Sequence, residues 1–387
     1  MTNSKILVSS AILTLVLTSV SACAQNTSSS VTNTSAPATI QENTVQVDHF
    51  VPVVSTVPAM TGYVSQLYVR ERLTADQQKE SSMEGKVVLF IHGAGTPAEV
   101  AFDVPKAGYS WMSYLAERGY DTFAMDMTGY GPSTRPLLMN DRCNLSVEQQ
   151  LQEFEDSCEP SYSFAATTVP SDWNDIDAVV DYLRNLRGVS KVHLIGWSQG
   201  GPRAAGYAAL HPDKVANIVL LAPAYNRAAA TTAAEANIPG IAITKQSRTD
   251  FVANWDRQVG CTDQYEPALV DVIWQEMLAS DPVGATWGSG VRRAPRTPTF
   301  GWTPKEVAAT QTPILMVVGT HDGQVNPERV REMYADLGAN QKVLIEMRCS
   351  SHNAMWEKDA AQLFDASFQW LNTTTYTGAS SGGFVLE

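Results

Sequence analysis

The chain has 387 residues, 44% of them hydrophobic and 17% charged, which is enough apolar side chain for a large buried core and excludes a disordered protein. Lys+Arg 27 against Asp+Glu 40 leaves a net charge of −13. That balance argues against nucleic acid, whose binding needs basic contacts to phosphate, and against a polybasic grip on anionic lipid.

In chain order, the first feature is an export segment. Lys5 is the only side-chain charge before Glu42, and an apolar stretch from Ile6 to Val20 follows it. A basic start, an apolar segment of this length and small residues after it describe a secretory signal, while the stretch is too short and too rich in Ser and Thr for a membrane span. Val20-Ser21-Ala22-Cys23 resembles the bacterial lipoprotein box. The resemblance implies that residues 1–22 are removed and that Cys23 is acylated; an ordinary signal cut near Ala22 or Ala24 is the alternative. With Ala24 rather than Asp after the cysteine, it further implies the outer membrane, so the expected membrane contact is the N-terminal lipid anchor alone. Residues 23–44 hold too few large apolar side chains to order themselves and read as a flexible Ser/Thr-rich tether. In an oxidising compartment the remaining Cys143, Cys158, Cys261 and Cys349 should pair. Three connectivities are possible; closeness in sequence favours Cys143 with Cys158, and the other two are then left for each other.

The body alternates strand-like and helix-like segments. Segments 45–56 and 60–73 predict an antiparallel hairpin at a sheet edge. Short apolar runs at 87–91, 121–125, 192–195, 218–222, 314–318 and 343–347 predict strands covered on both faces. Trp173, Ile176, Val179, Val180, Leu183 and Leu186 recur at helical spacing, with Ser171 as expected N-cap and Gly188 as stop. Such alternation predicts an α/β fold, a mostly parallel central sheet flanked by helices, built from residues 45–224 and 311–372. Between them, residues 225–310 begin Ala-rich and carry Trp255, Trp274, Trp287 and Trp302, which predicts a mainly helical insertion over the sheet. Residues 373–387, rich in Ser, Thr and Gly, are expected to form a flexible tail.

The strand ending at Ile195 runs into Gly196-Trp197-Ser198-Gln199-Gly200-Gly201, and a helical stretch follows. A G-x-S-x-G between strand and helix is a nucleophile elbow, where glycines make room for a sharp turn and the helix N-terminus favours negative charge. Serine needs a base, and position separates the six histidines. His49 lies in the edge hairpin, His92 upstream of the serine, His193 inside a strand, His211 at a helix end and His321 beside the best acid. His352 remains, in the loop after the last predicted strand, with Asp322 after the strand before it. Ser198, Asp322 and His352 follow the chain order Ser…Asp…His expected of this arrangement. The backbone N–H groups of Ala94, in His92-Gly93-Ala94-Gly95, and of Gln199 are the candidate oxyanion hole.

With these motifs the chain resembles the α/β-hydrolase superfamily, in its lid-bearing serine esterase or lipase-like branch; Asp126-Met-Thr-Gly-Tyr-Gly131 resembles that branch's D-x-x-G-x-G loop. The resemblance implies that residues 225–310 are a lid. It sets aside dehalogenases and epoxide hydrolases, which carry aspartate at the elbow, and the prolyl aminopeptidases, whose H-G-G-P-G is here His92-Gly-Ala-Gly. The expected activity is cleavage of a carboxylic ester through an acyl-enzyme, without metal or organic cofactor, since the histidines form no metal-spaced cluster. The same triad could act on a lactone, an amide or a C–C bond, or as a cofactor-free perhydrolase; a catalytically inactive surface binding protein is the reading from another class. The lid tryptophans and Trp197 suggest an apolar or aromatic substrate.

Overall fold

The apolar runs pair into a nine-stranded sheet in the computed structural model, which describes residues 43–80, 82–228, 240–288, 290–293 and 302–387. In chain order come β1 (Thr44–Val54), β2 (Val64–Thr74), β3 (Val87–Ile91), β4 (Asp121–Met125), β5 (Val192–Trp197) and β6 (Val215–Leu221). A separate ribbon, β7 (Thr244–Ser247) with β8 (Gly290–Arg293), precedes β9 (Ile314–Gly319), β10 (Lys342–Met347) and β11 (Ser381–Leu386). The helices are α1 (Ala98–Phe102), α2 (Trp111–Ala116), α3 (Val147–Phe154), α4 (Val169–Arg187) and α5 (Gly200–Leu210). After these come α6 (Arg248–Asp256), α7 (Pro267–Ser280), α8 (Pro304–Ala309), α9 (Pro327–Asp336) and α10 (Ala360–Thr373).

The sheet order is β1-β2-β4-β3-β5-β6-β9-β10-β11, antiparallel at β1/β2 and β2/β4 and parallel elsewhere. Side-chain alternation divides β3 between two cores. Val88 and Phe90 join Trp111, Trp356 and Phe364 on one face, whereas Val87, Leu89 and Ile91 join Ile176, Val179 and Leu183 of α4 on the other. Both faces being covered is why the central strands read as unbroken apolar runs.

Two local expectations are revised. α4 starts three residues earlier than expected: Thr168 is the N-cap, and Ser171 is its partner in a capping box, so both hydroxyls satisfy helix-end N–H groups. Gly188 ends the helix as expected, at φ 63° as a left-handed C-cap. The supposed flexible tail instead contains β11, which pairs in parallel with the whole of β10. An otherwise open sheet edge offered it backbone partners, and Phe384 gives it an anchor, meeting Tyr376 edge-on at 5.1 Å. The export signal and the tether up to residue 42, Cys23 included, lie outside the described residues.

Within the insertion the described helices are α6, α7 and α8, and the strands of the β7/β8 ribbon flank the first two in sequence. Disulfides join Cys143 to Cys158 (Cα–Cα 5.2 Å) and Cys261 to Cys349 (5.6 Å). Between the first two cysteines, Ser146 caps α3, which docks against the β7/β8 ribbon. Gln149 acts there as a surrogate strand, donating from Nε2 to the Lys245 carbonyl at 2.7 Å and accepting the Lys245 N–H at 3.1 Å.

A buried charge cluster lies under the edge hairpin. Arg187 donates to both Asp121 and Glu71, and His49 Nε2 meets Glu71 Oε2 at 2.8 Å. Burial opposes ionisation of Glu71, but the His49 hydrogen bond and the Arg187 charge outweigh it and hold Glu71 below the usual carboxylate range. Burial, with Glu71 as a neighbouring negative charge, pushes Asp121 up to about 8. A carboxyl raised above its unfolded value near 3.9 favours the fold at low pH, and that contribution is lost as pH rises through the folded value. Asp121→Asn should therefore flatten the fall of Tm between about pH 4 and pH 8, measured beside the parent by thermal denaturation. Parallel curves for the two proteins would show that Asp121 does not hold this proton.

Candidate active site

β5 delivers Ser198 at the sheet's carboxyl edge, and α5 leaves two residues later. Ser198 sits at φ 57°, a left-handed conformation that a serine adopts at a cost and that aims its side chain out of the turn. The turn is held by the Ser198 N–H to the Leu221 carbonyl at 2.9 Å and by the Ser198 carbonyl, which accepts from Gly201 and Ala224, each at 2.9 Å. The surrounding glycines are sterically required: a Cβ on Gly196 would lie 2.5 Å from the Gly200 carbonyl oxygen, and one on Gly200 would lie 2.3 Å from that of Ile91.

Ser198, His352 and Ala94 line one cleft. Asp322 lies behind His352, where its Oδ2 is 2.8 Å from the imidazole Nδ1. The other carboxylate oxygen accepts the Gln324 and Val325 N–H groups at 2.8 and 2.7 Å, so the whole carboxylate is oriented. With the Nδ1 proton donated to Asp322, Nε2 carries the lone pair a base needs. Trp197 Nε1 donates to the His352 carbonyl at 2.9 Å and fixes the loop from below. Gln199 is off the cleft lining, at the N-cap of α5. The other histidines are engaged elsewhere: His49 with Glu71 and Tyr182, His193 with the Gly85 carbonyl, His211 stacked on Tyr207 and His321 against Cys261.

His92 proves to be part of the site's foundation. Its Nε2 accepts the Met127 N–H at 3.1 Å, which leaves the proton on Nδ1 to donate to the Gly93 carbonyl at 2.7 Å. Burial, aided by the Arg203 charge, keeps His92 well below the usual histidine range and hence neutral. Arg203, buried and paired through Nε with Asp172 at 2.7 Å, donates from Nη1 to the carbonyls of His92 at 2.9 Å and Gly93 at 3.1 Å. The Gly93 carbonyl and the Ala94 N–H belong to one planar trans peptide and point opposite ways. Two donors on that oxygen therefore set the direction of the Ala94 N–H. Asp126 of the D-x-x-G-x-G segment braces the same loop by accepting the Ala98 N–H at 2.6 Å, and a Cβ on Gly131 would lie 1.7 Å from its Oδ2.

The insertion is tied to the histidine loop. Cys261, between α6 and α7, is bonded to Cys349, and buried Glu357 accepts from Trp255 at 3.0 Å and Gln264 at 2.9 Å in the insertion and from the Ser351 N–H at 2.8 Å. The four tryptophans of the insertion, behind the expectation of an apolar or aromatic substrate, are elsewhere. Trp255, Trp274 and Trp302 are buried as packing, and Trp287 meets Phe154 at 6.0 Å. The cleft lining mixes Trp197, Phe251 and Trp356 with polar side chains, among them Gln246, Asn254 and Arg293. Sequence reasoning missed Arg203, Asp172 and Arg293; only His92, next to Gly93, carried a signal in its position.

A family model described as alpha/beta hydrolase fold matches residues 86–359. Among curated proteins, the chain is 56% identical over 46 residues to the poly(3-hydroxyalkanoate) polymerase subunit PhaC of Allochromatium vinosum. That match takes in 12% of this chain and spans 13% of the relative's length. Among solved structures it is similar to a serine hydrolase involved in carbazole degradation, at TM-score 0.52 and 17% identity, covering 85% of this chain and 99% of that one. It is also similar to an esterase from Exiguobacterium antarcticum, at TM-score 0.50 and 14% identity, covering 84% of this chain and all (100%) of that one. With the strand order, the elbow and a family match over most of its length, the chain belongs to the alpha/beta hydrolase fold family.

Proposed function

We propose that the protein is a serine hydrolase that cleaves a small carboxylic ester through an acyl-enzyme intermediate. The observation that carries this reading is the oriented pair His352–Asp322, 2.8 Å apart, on the cleft that Ser198 enters at a strained strand-to-helix turn. In the proposed cycle Ser198 Oγ attacks the ester carbonyl as His352 Nε2 takes its proton. Asp322 keeps the imidazole in the required tautomer and stabilises the imidazolium that forms. The N–H groups of Ala94 and Gln199 receive the developing oxyanion, and α5 directs its N-terminus at the same charge. His352 returns the proton to the departing alcohol, then activates water to release the acid and restore Ser198. The esterase among the structural neighbours supports a small ester as substrate.

A fluorophosphonate probe, followed by peptide mass spectrometry, tests the reading: label is expected on Ser198 and on no other serine. An unlabelled Ser198 in folded protein would favour a binding module on a hydrolase scaffold. The proposed setting is export, with lipid on Cys23. A mature N-terminus that starts unmodified at Ala24 or Gln25, read by mass spectrometry, would refute the anchor.

A further inference from the structure

Charge on the cleft lining is one-sided. Among the described residues the lining has no carboxylate and one permanent cation, Arg293, although the chain as a whole carries −13. The ribbon explains how Arg293 arrives there. Successive side chains of β8 point to opposite faces. Arg292 is turned inward, where its Nη2 meets Asp281 Oδ1 at 2.6 Å and its Nη1 donates to the Met139 carbonyl at 2.8 Å. Arg293 takes the opposite face and reaches the site.

Two features of the oxyanion loop receive it. Arg293 Nη2 donates to the Ala94 carbonyl at 3.1 Å. Its guanidinium also lies where Gly95 has no side chain: a Cβ there would come within 1.8 Å of Nε, and Gly95 is at φ +89°, a conformation that favours glycine. The fork is thus seated on the same residue, Ala94, whose N–H is assigned to the oxyanion. Amides of Gln246, Asn254, Gln324 and Asn353 also line the cleft, whose cavity is only about 40 Å³. A planar guanidinium in such surroundings is matched by a carboxylate, which can take two parallel N–H bonds from it.

We propose that the natural substrate is a short ester bearing a carboxylate of its own, held by Arg293 while Ser198 attacks the ester carbonyl. The proposal rests on the ester-hydrolase reading above. It names the specificity-determining residue and the chemical class of the substrate.

Matched ester pairs test it in the intact chain. One pair places the carboxylate on the acyl side: the para-nitrophenyl monoester of glutaric acid against para-nitrophenyl pentanoate, equal in chain length. The second places it on the alcohol side: the acetate ester of glycolate against that of ethanol. In at least one pair kcat/KM should favour the anionic ester by about tenfold or more, the scale of one lost charged contact. R293Q should erase that ratio, R293K should keep part of it, and R293E should invert it. Because each ratio is taken within one preparation, partial misfolding of a variant cancels. Equal or greater kcat/KM for the neutral ester in both pairs, with R293Q moving both members alike, would overturn the carboxylate subsite and leave ester hydrolysis standing. Failure to turn over any of the four esters would overturn both readings.

Discussion

Ser198→Ala and His352→Ala should each lower kcat by roughly 10⁴-fold or more, with the fold intact by circular dichroism and Tm. The loss is large because the two groups act as a unit: without the imidazole Nε2 the hydroxyl is a poor nucleophile, and without the hydroxyl the base has nothing to activate. The double variant should therefore be scarcely worse than either single one. Asp322→Asn should be somewhat milder, since the amide preserves shape. Its NH₂ can still occupy the space facing Nδ1 but then presents a donor, which favours the wrong tautomer. Steady-state kinetics on a para-nitrophenyl ester decides the assignment. If His321→Ala abolishes turnover while His352→Ala does not, the base has been misassigned; full turnover in Asp322→Asn would place the acid elsewhere.

Arg203→Met should lower kcat by about a hundredfold or more while KM changes little, although Arg203 lies beneath the loop and off the cleft lining. The guanidinium bonds to the Gly93 carbonyl and so governs the peptide that presents the Ala94 N–H. Loss of that bond should weaken the oxyanion more than the bound ester, because charge on the oxygen appears only in the transition state. Removing the cation also leaves Asp172 buried without its partner, which by itself can cost about 3–5 kcal/mol of stability. Arg203→Met combined with Asp172→Asn relieves that burden and keeps the test interpretable. A boronic acid that mimics the tetrahedral intermediate should lose affinity in the double variant in proportion to kcat. Unchanged boronate affinity in folded protein would show that Arg203 is structural only.

What could be read in the sequence was whatever local pattern determines. The elbow was legible because strand, G-x-S-x-G and helix are contiguous. The hairpin was legible because Thr44–Val54 and Val64–Thr74 alternate on either side of one turn. Ser198, Asp322 and His352 could be ordered because each follows a recognisable strand. β11 escaped because its two glycines and flanking Ser and Thr resemble a loose end. Only its partner β10, 39 residues away at Lys342↔Ser381, makes it a strand. Arg203 and Arg293 escaped for a related reason: their roles depend on carbonyls more than 100 residues away, at separations of 110 and 199. The tryptophans of the insertion misled because composition reports that rings are present and not which way they face.

The link between Cys261 and Cys349 has a consequence for how this molecule comes apart. The bridge enters the chain three residues before His352, and Glu357 bonds to both sides of the same seam. Helices α6 and α7 and the histidine loop should therefore share one fate in local unfolding, with amide hydrogens in Phe251–Trp255 and Ser351–Asn353 exchanging as a single cooperative unit. A thiol reductant would divide that unit. The roof could then fray while the sheet beneath stayed intact, and the protein would lose turnover well before it lost its circular dichroism. If the chain is exported as proposed, the redox state of its surroundings would set how long the site survives, separately from how long the fold does.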